Sequence, residues 1–127
     1  MIEVLSKYNK RRILHSLMSY DVVDTAIEDA LINYIVYGIK PGSMLTAMLA
    51  NDMHGVLSSS HPSNTVEFLK NISNWIRNEL PTELRGSYNA VGHWMTCDSK
   101  YRRRVLENYK LLLSQEEEIM LSLQGKP

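Results

Sequence analysis

The closest approach to a metal or nucleophile motif in this sequence is His93 with Cys97, four residues apart. On a helix this spacing puts both side chains on one face, as in paired zinc ligands. Two ligands do not make a zinc site, and the remaining histidines, His15, His54 and His61, form no second pair. Since no strand-turn-helix signature surrounds Cys97, a nucleophilic role is also disfavoured. The sequence therefore predicts no metal, no cofactor and no catalytic residue.

Acidic residues offer a second route to chemistry, because paired carboxylates on one helix face can act as acid and base. Four of them crowd the start of the second expected helix: Asp21, Asp24, Glu28 and Asp29. Acidic residues are common in the first turn of helices because they complement the helix dipole. We interpret the group as a solvated helix face, and the chain as a binding protein rather than an enzyme.

Basic residues open the last expected helix, where Lys100 is followed by Arg102, Arg103 and Arg104. Positive charge at a helix N-terminus opposes the macrodipole by ~0.3–1 kcal/mol per residue, so three arginines there need a further reason. An anionic ligand would supply one, with the arginines pairing with phosphate and Trp94 or Tyr88 stacking on a base. The alternative is pairing of the arginines with acidic residues of the second helix or of residues 116–118.

Two further polar sites could contribute to such a ligand site. Lys40 and Ser43 flank a Pro-Gly turn at an expected helix start, where free backbone N–H groups can hold a phosphate or carboxylate. Asn51 and Asp52 directly follow an apolar helical stripe. For both sites, ordinary capping of helices and loops is the competing interpretation.

The elements that must position these residues are helical. Apolar residues recur at helical spacing through most of the chain, and strict alternation over a strand-length window is absent. The sequence therefore predicts an all-α fold, a compact bundle of about six helices with a long C-terminal helix. The expected helices cover approximately residues 2–19, 21–37, a segment from 43 weakened near Gly55, a segment from an N-cap at Ser63 or Asn64 to Leu80, 87–96, and 99–124.

The last expected helix carries a coiled-coil-like seam. The seam residues are Val105, Tyr109, Leu112, Ile119 and Leu123, and Glu116 occupies the position missing from the series. Such a seam could pack within the fold or between subunits, so a homo-oligomer is one expectation.

Length and composition set the outer limits. The 127 residues, 44% of them apolar, suit one domain spanning residues 1–127. The balance of 14 basic and 14 acidic residues disfavours nucleic acid as a partner, because no net positive field is available. A single cysteine excludes an internal disulfide framework, and neither a signal-peptide core nor a membrane-spanning run is present. We expect a cytoplasmic protein without a membrane partner.

The stretch from Asn33 to Met95 resembles a group of small, mostly uncharacterised bacteriophage proteins. Their motif is Pro-Gly-x-Phe-Leu-x-Ala-x-Leu-x-Asn-Asp, followed by an Asn, an apolar helix with a Trp, and a Gly-Ser…Trp segment. The matching residues are Gly42, Leu45, Ala47, Leu49, Asn51 and Asp52, then Asn64, Trp75, Asn78, Glu79 and Pro81, then Gly86, Ser87, Asn89, Val91 and Trp94. The likeness covers about half the chain and departs from the motif at Met44 and in the added first and last helices. It implies a phage or prophage origin rather than an activity.

Three classes of function are compatible with these features. The first is a phage accessory protein that counters host defence by binding and sequestering an anionic, nucleotide-type ligand without chemistry. The second is an inhibitor that binds a host enzyme or defence complex through a helix face. The third, a hydrolase or nucleic-acid-binding factor, has least support. We favour the first because the arginine triplet and its aromatic neighbours are the physically unusual features of the sequence.

Overall fold

The computed structural model describes residues 7–112, together with Met120 and Leu123. Within these residues the chain forms seven α-helices and one 3-10 turn, with no strand, which confirms the all-helical prediction. The helices are α1 (Lys7–Met18), α2 (Thr25–Tyr37), α3 (Ser43–Leu49), α4 (Met53–Ser59), α5 (Val66–Glu79), α6 (Tyr88–Thr96) and α7 (Ser99–Asn108). The 3-10 turn, Thr82–Leu84, joins α5 to α6.

Side-chain caps begin four of the described helices, α2, α4, α5 and α6. Asp24 caps α2 by accepting a hydrogen bond from the Ile27 N–H, and Gly38 ends the helix in the left-handed conformation, with φ of 68°. At the start of α5 the cap is Thr65, one or two residues later than the expected Ser63 or Asn64, because its hydroxyl accepts from the Phe68 N–H. These short polar side chains explain why helix limits could be read from local sequence.

The segment expected to form one helix from residue 43 forms two. Asn51 adopts a left-handed φ of 62°, and this residue type tolerates that conformation better than most. Asp52 then caps α4 through a hydrogen bond from the Gly55 N–H to its carboxylate. The break therefore follows from two adjacent residues that each favour the end or the start of a helix.

The last expected helix is interrupted. It begins at Ser99 as predicted, but α7 ends at Asn108, and Lys110 has a left-handed φ of 65°. Arg12 of α1 donates a hydrogen bond to the Lys110 carbonyl, so the break is held by a contact distant in sequence. Met120 and Leu123 are helical and exposed, and most of the expected seam beyond Leu112 lies outside the described residues.

The core is built around three large buried side chains, Tyr34, Trp75 and Trp94. Each polar atom has a partner. The Tyr34 hydroxyl donates to the Leu84 carbonyl, the Trp75 indole to the Ser16 hydroxyl, and the Trp94 indole to carbonyls at the end of α2. Such pairing removes the cost of burying a polar group, and it links α1 to α5 and α2 to α6 and the 3-10 turn.

Several apolar residues that occur at helical spacing lie on the surface, among them Met18, Val23, Val66 and Tyr109. Val23 is exposed while its neighbour Val22 is buried, because the chain between α1 and α2 is a turn rather than the first turn of a helix. Val66 is exposed as the first residue of α5. Among the described residues, no helix has the length and apolar character needed to cross a membrane.

Candidate functional site

Arg102 lies inside the fold rather than on a ligand surface. Its side chain is 8% exposed, and Nη1 donates hydrogen bonds to the carbonyls of Trp94 and Cys97, at 3.1 and 2.7 Å. The guanidinium also lies against Gly38, the residue that ends α2. Because the C-terminus of a helix carries partial negative charge, the ends of α2 and α6 together stabilise this buried cation. The structure thus supplies a structural reason for an arginine at this position.

The rest of the predicted arginine site is dispersed. Arg103 pairs with Glu107 one turn along α7, and Arg104 is exposed. Trp94 is fully buried, so its ring has no face open to a base. The start of α7 therefore does not bring the three arginines and Trp94 together around a common space.

Tyr88 and Asp52 do meet. The Tyr88 hydroxyl donates to the Asp52 carboxylate at 2.6 Å, and the other oxygen of that carboxylate caps α4. These hydrogen bonds, that of Tyr88 first and that of the Gly55 N–H second, lower the pKa of Asp52, and the same contact raises the pKa of Tyr88. The pair fastens the start of α6 to the start of α4, which agrees with the capping interpretation of Asp52.

Replacement of Tyr88 by phenylalanine should raise the pKa of Asp52 toward its ordinary value, because the largest cause of its depression is removed. A carboxylate with a depressed pKa stabilises the fold above its unfolded-state pKa, and this stability is lost as pH falls through its folded-state pKa. The variant should therefore lose less stability between neutral and acidic pH. Carbon-detected NMR titration of Asp52 measures the shift. An unchanged pKa in Tyr88→Phe would contradict the assignment.

Lys40 and Ser43 are exposed and lie apart from this pair. Ser43 is the first residue of α3, and Gly42 caps that helix without a side-chain hydrogen bond. Ser43 borders a different, open hollow between the starts of α2 and α3. The nine predicted residues are thus divided between the core, where Trp94 and Arg102 lie, and several separate surfaces.

Asn51 lies at a polar concavity. It lines a cleft of about 370 Å³ together with two arginines that the sequence analysis did not select, Arg77 and Arg85. The remaining lining residues are Met48, Leu49, Ser73, Ile76 and Gly86. These residues include two arginines and no acidic side chain, so the charged groups that line the cleft are cations.

Three elements form this arginine cleft. The end of α3 supplies one wall, α5 supplies Ser73 and Arg77, and the loop before α6 supplies Arg85 and Gly86. The Gly86 N–H donates to the Leu49 carbonyl at 2.8 Å, which fixes the loop on α3. Gly86 has a φ of 109°, a conformation that side chains rarely adopt, so glycine is required at this rim.

Arg85 is held in a defined orientation by the fold. It is half-buried, and its Nε donates to the Leu80 carbonyl at 3.0 Å, which holds the guanidinium plane in place. A guanidinium fixed through Nε can still present its terminal N–H groups to an anion in a bidentate manner. Arg77, on the exposed face of α5, provides a second cation.

Sequence reasoning missed Arg77 and Arg85 because neither belongs to a cluster of basic residues. Arg77 looks like an ordinary surface residue of an amphipathic helix, and Arg85 lies in a loop between Pro81 and α6. The sequence signal that could have pointed to Arg85 is the glycine after it, Gly86, since an isolated glycine often marks a required backbone conformation.

A second, apolar concavity adjoins the arginine cleft. This groove of about 200 Å³ runs between α4 and α5 and is lined by Met53, Val56, Leu57, Val66 and Leu69, with Lys70 and Asn74 at its edge. Met48 and Ser73 line both the groove and the cleft. The two concavities therefore share a wall.

Metal chemistry has no evident site in the described part of the chain, where no three His, Cys, Asp or Glu side chains are grouped to hold an ion. His93 packs edge-on against Tyr101, and the Cys97 thiol donates to the Trp94 carbonyl. Fold and site together define an all-helical protein with a cationic cleft. Comparison with protein-family models, curated proteins and solved structures yields no match to this chain.

Proposed function

We propose that this protein binds an anionic small molecule of the nucleotide type in the arginine cleft and holds it without chemical change. The observation that carries the proposal is the convergence of Arg77 and Arg85 on one concavity whose described lining contains no carboxylate. Two guanidinium groups without a counterion form a natural site for phosphate, and Asn51 and Ser73 add neutral hydrogen-bonding groups.

The size of the cleft supports a small ligand. Its volume of about 370 Å³ lies at the lower end of the range found for small-molecule sites. Its floor is apolar, formed by Leu49 and Ile76, so electrostatic attraction would act next to low-dielectric surface and be stronger than in water. A ligand the size of a single nucleotide fits these properties better than a polymer.

The side chains that line the cleft favour binding over catalysis. Acid-base or nucleophilic chemistry needs a titratable group beside the bound substrate. The described residues that line the cleft include no histidine, cysteine or carboxylate, and Ser73 has no base among them. Arginine and asparagine can hold and orient an anion but do not transfer protons at neutral pH.

In the biological role that we propose, a phage accessory protein withholds the ligand from a host defence system. This part rests on the motif resemblance of the central block. Three of the sixteen matching positions, Leu49, Asn51 and Gly86, line the arginine cleft, so the resembling block contributes part of its wall.

Calorimetric titration with pyrophosphate and with a panel of nucleotides, linear and cyclic, tests the proposal. We expect stoichiometric binding that weakens with salt, and a loss of about tenfold in affinity for Arg77→Ala or Arg85→Ala, since each removes a charge-assisted hydrogen bond. Arg104→Ala, a surface arginine outside the cleft, is the matched control and should bind as the wild type does.

The ligand recovered after denaturation should be chemically unaltered. Release of a modified ligand would make the protein an enzyme and reject sequestration. Absence of heat and of a thermal shift across the whole panel would reject the anion-binding function itself.

The alternative function is inhibition of a host protein through an apolar face. The observation in its favour is the exposure of Met53, Leu57 and Val66 along the groove between α4 and α5, since soluble proteins seldom leave such side chains clustered at the surface. Stoichiometric recovery of one host protein by the wild type, but not by Leu57→Asp, would favour inhibition over sequestration.

A further inference from the structure

The apolar groove and the arginine cleft are continuous along one face of α5. Residues 66, 69, 70, 73 and 74 of this helix line the groove, and residues 73, 76 and 77 line the cleft. These positions are three or four apart, so they form a single stripe. With a rise of 1.5 Å per residue, the stripe from Leu69 to Arg77 extends about 12 Å.

The two ends of this stripe have opposite chemical character. One end carries the cations Arg77 and Arg85, whereas the other end is walled by Val56, Leu57 and Leu69. A ligand that occupied both would need a phosphate at one end and a flat or apolar group at the other. A bare inorganic anion would leave the groove unused.

The edge of the groove distinguishes between kinds of apolar group. Asn74 offers both an amide donor and a carbonyl acceptor, Lys70 offers a cation, and Ser73 offers a hydroxyl at the junction with the cleft. An alkyl chain would make no use of these groups. A nucleobase has apolar faces and an edge of donors and acceptors, so it matches walls and edge together.

We infer that the ligand is a nucleoside phosphate whose phosphate lies at Arg77 and Arg85 and whose base inserts between α4 and α5. This assignment rests on the proposed anion-binding function and adds to it the location of the base. Met48, half-buried at the wall shared by cleft and groove, would contact the ribose. The groove then belongs to the ligand site and is not a separate docking surface.

The test compares each of the four nucleoside 5′-monophosphates with ribose 5-phosphate, which has the same phosphate and lacks the base. At least one nucleotide should bind about tenfold more tightly to the wild type than ribose 5-phosphate does, because the base buries apolar surface in the groove. Leu57→Asp should abolish that advantage while the affinity for ribose 5-phosphate stays within about twofold. Leu57 is 63% exposed, so the substitution is compatible with folding.

Two controls accompany the comparison. Val23→Asp places the same charge at an equally exposed position outside both concavities and should keep the nucleotide advantage. Asn74→Ala, at the exposed edge of the groove, should reduce the preference among the four bases without changing the affinity for ribose 5-phosphate.

The outcomes separate the two proposals. Equal affinity of the wild type for nucleotides and ribose 5-phosphate would overturn the base assignment and leave anion binding intact. Tighter binding of hexyl phosphate than of any nucleotide would also overturn it, in favour of an aliphatic occupant. No binding of any phosphate compound would overturn the proposed function as well.

Discussion

Arg102→Met is expected to lower the free energy of unfolding by about 3 kcal/mol, because two carbonyl groups at the end of α6, one buried and one partly buried, lose their charged donor. Methionine retains the apolar length of the side chain, so the loss reports mainly on the polar contacts. The Nε of Arg102 has no partner, and its removal offsets a part of the cost. Chemical denaturation followed by circular dichroism provides the measurement.

Arg104→Met is the matched control for this experiment. Arg104 is exposed on the same helix, so its replacement should change stability by less than about 0.5 kcal/mol. Arg102→Lys should give an intermediate loss, since an ammonium group keeps the charge without the planar fork of donors. Equal stabilities of Arg102→Met and the wild type would show that the guanidinium does not hold the helix ends.

Gly38→Ala is expected to destabilise the protein by about 2–4 kcal/mol. The left-handed conformation at Gly38, with φ of 68°, costs a residue with a Cβ atom about 1–2 kcal/mol. A Cβ atom there would also lie 2.8 Å from Arg102 Nη1 and 3.3 Å from the backbone of Met95, which adds a steric cost. The thermal midpoint and the denaturant midpoint should both fall.

Gly92→Ala supplies the opposite control. Gly92 lies within α6, and a Cβ atom there would meet nothing within 4 Å, so alanine should stabilise the helix by about 0.5–1 kcal/mol. The double variant Gly38→Ala with Arg102→Met should lose less than the sum of the single losses, because the steric contact involves Arg102 itself. Additive losses would contradict direct contact between the two residues.

These two predictions concern the same structural unit. Arg102 joins the ends of α2 and α6, and Gly38 leaves the space in which the guanidinium lies. Arg102, which the sequence suggested as a ligand contact, therefore stabilises the fold. The proposed site uses different arginines. Arg77 is exposed and Arg85 is half-buried, so both have the solvent access that Arg102 lacks.

The end of α2 and, to within two residues, both ends of α5 were predictable because their signals are local, whereas α2 begins at Thr25, four residues after the expected Asp21. Asp24 and Gly38 act through hydrogen bonds and backbone conformations within a few residues, so each interaction involves only residues that are close together in the chain. The end of α7 was not predictable in this way. Lysine carries no preference for the left-handed conformation of Lys110, and the contact from Arg12 comes from 98 residues earlier in the chain.

The same distinction applies to the site. Asn51 was selected from the sequence and does line the arginine cleft, whereas Trp94 and Arg102 were selected and are buried. The residue type indicates that an arginine can bind phosphate. It does not indicate which arginine lines a concavity, because the exposure of a side chain depends on elements that are distant in the sequence and pack against it.

Sequence patterns predicted a helical protein and several helix limits, among them the end of α2 and the starts of α3, α6 and α7, but not the break at Asn51 or the end of α7. The correct predictions follow from periodicity and from residues close together in the chain. The sequence also contains no recognisable catalytic motif. The burial of Arg102 at the start of α7, and the cationic cleft formed by α3, α5 and the Arg85–Gly86 loop, became visible in the folded chain alone. Burial and the convergence of charge arise from contacts between distant segments, which the spacing of residues along the chain does not encode.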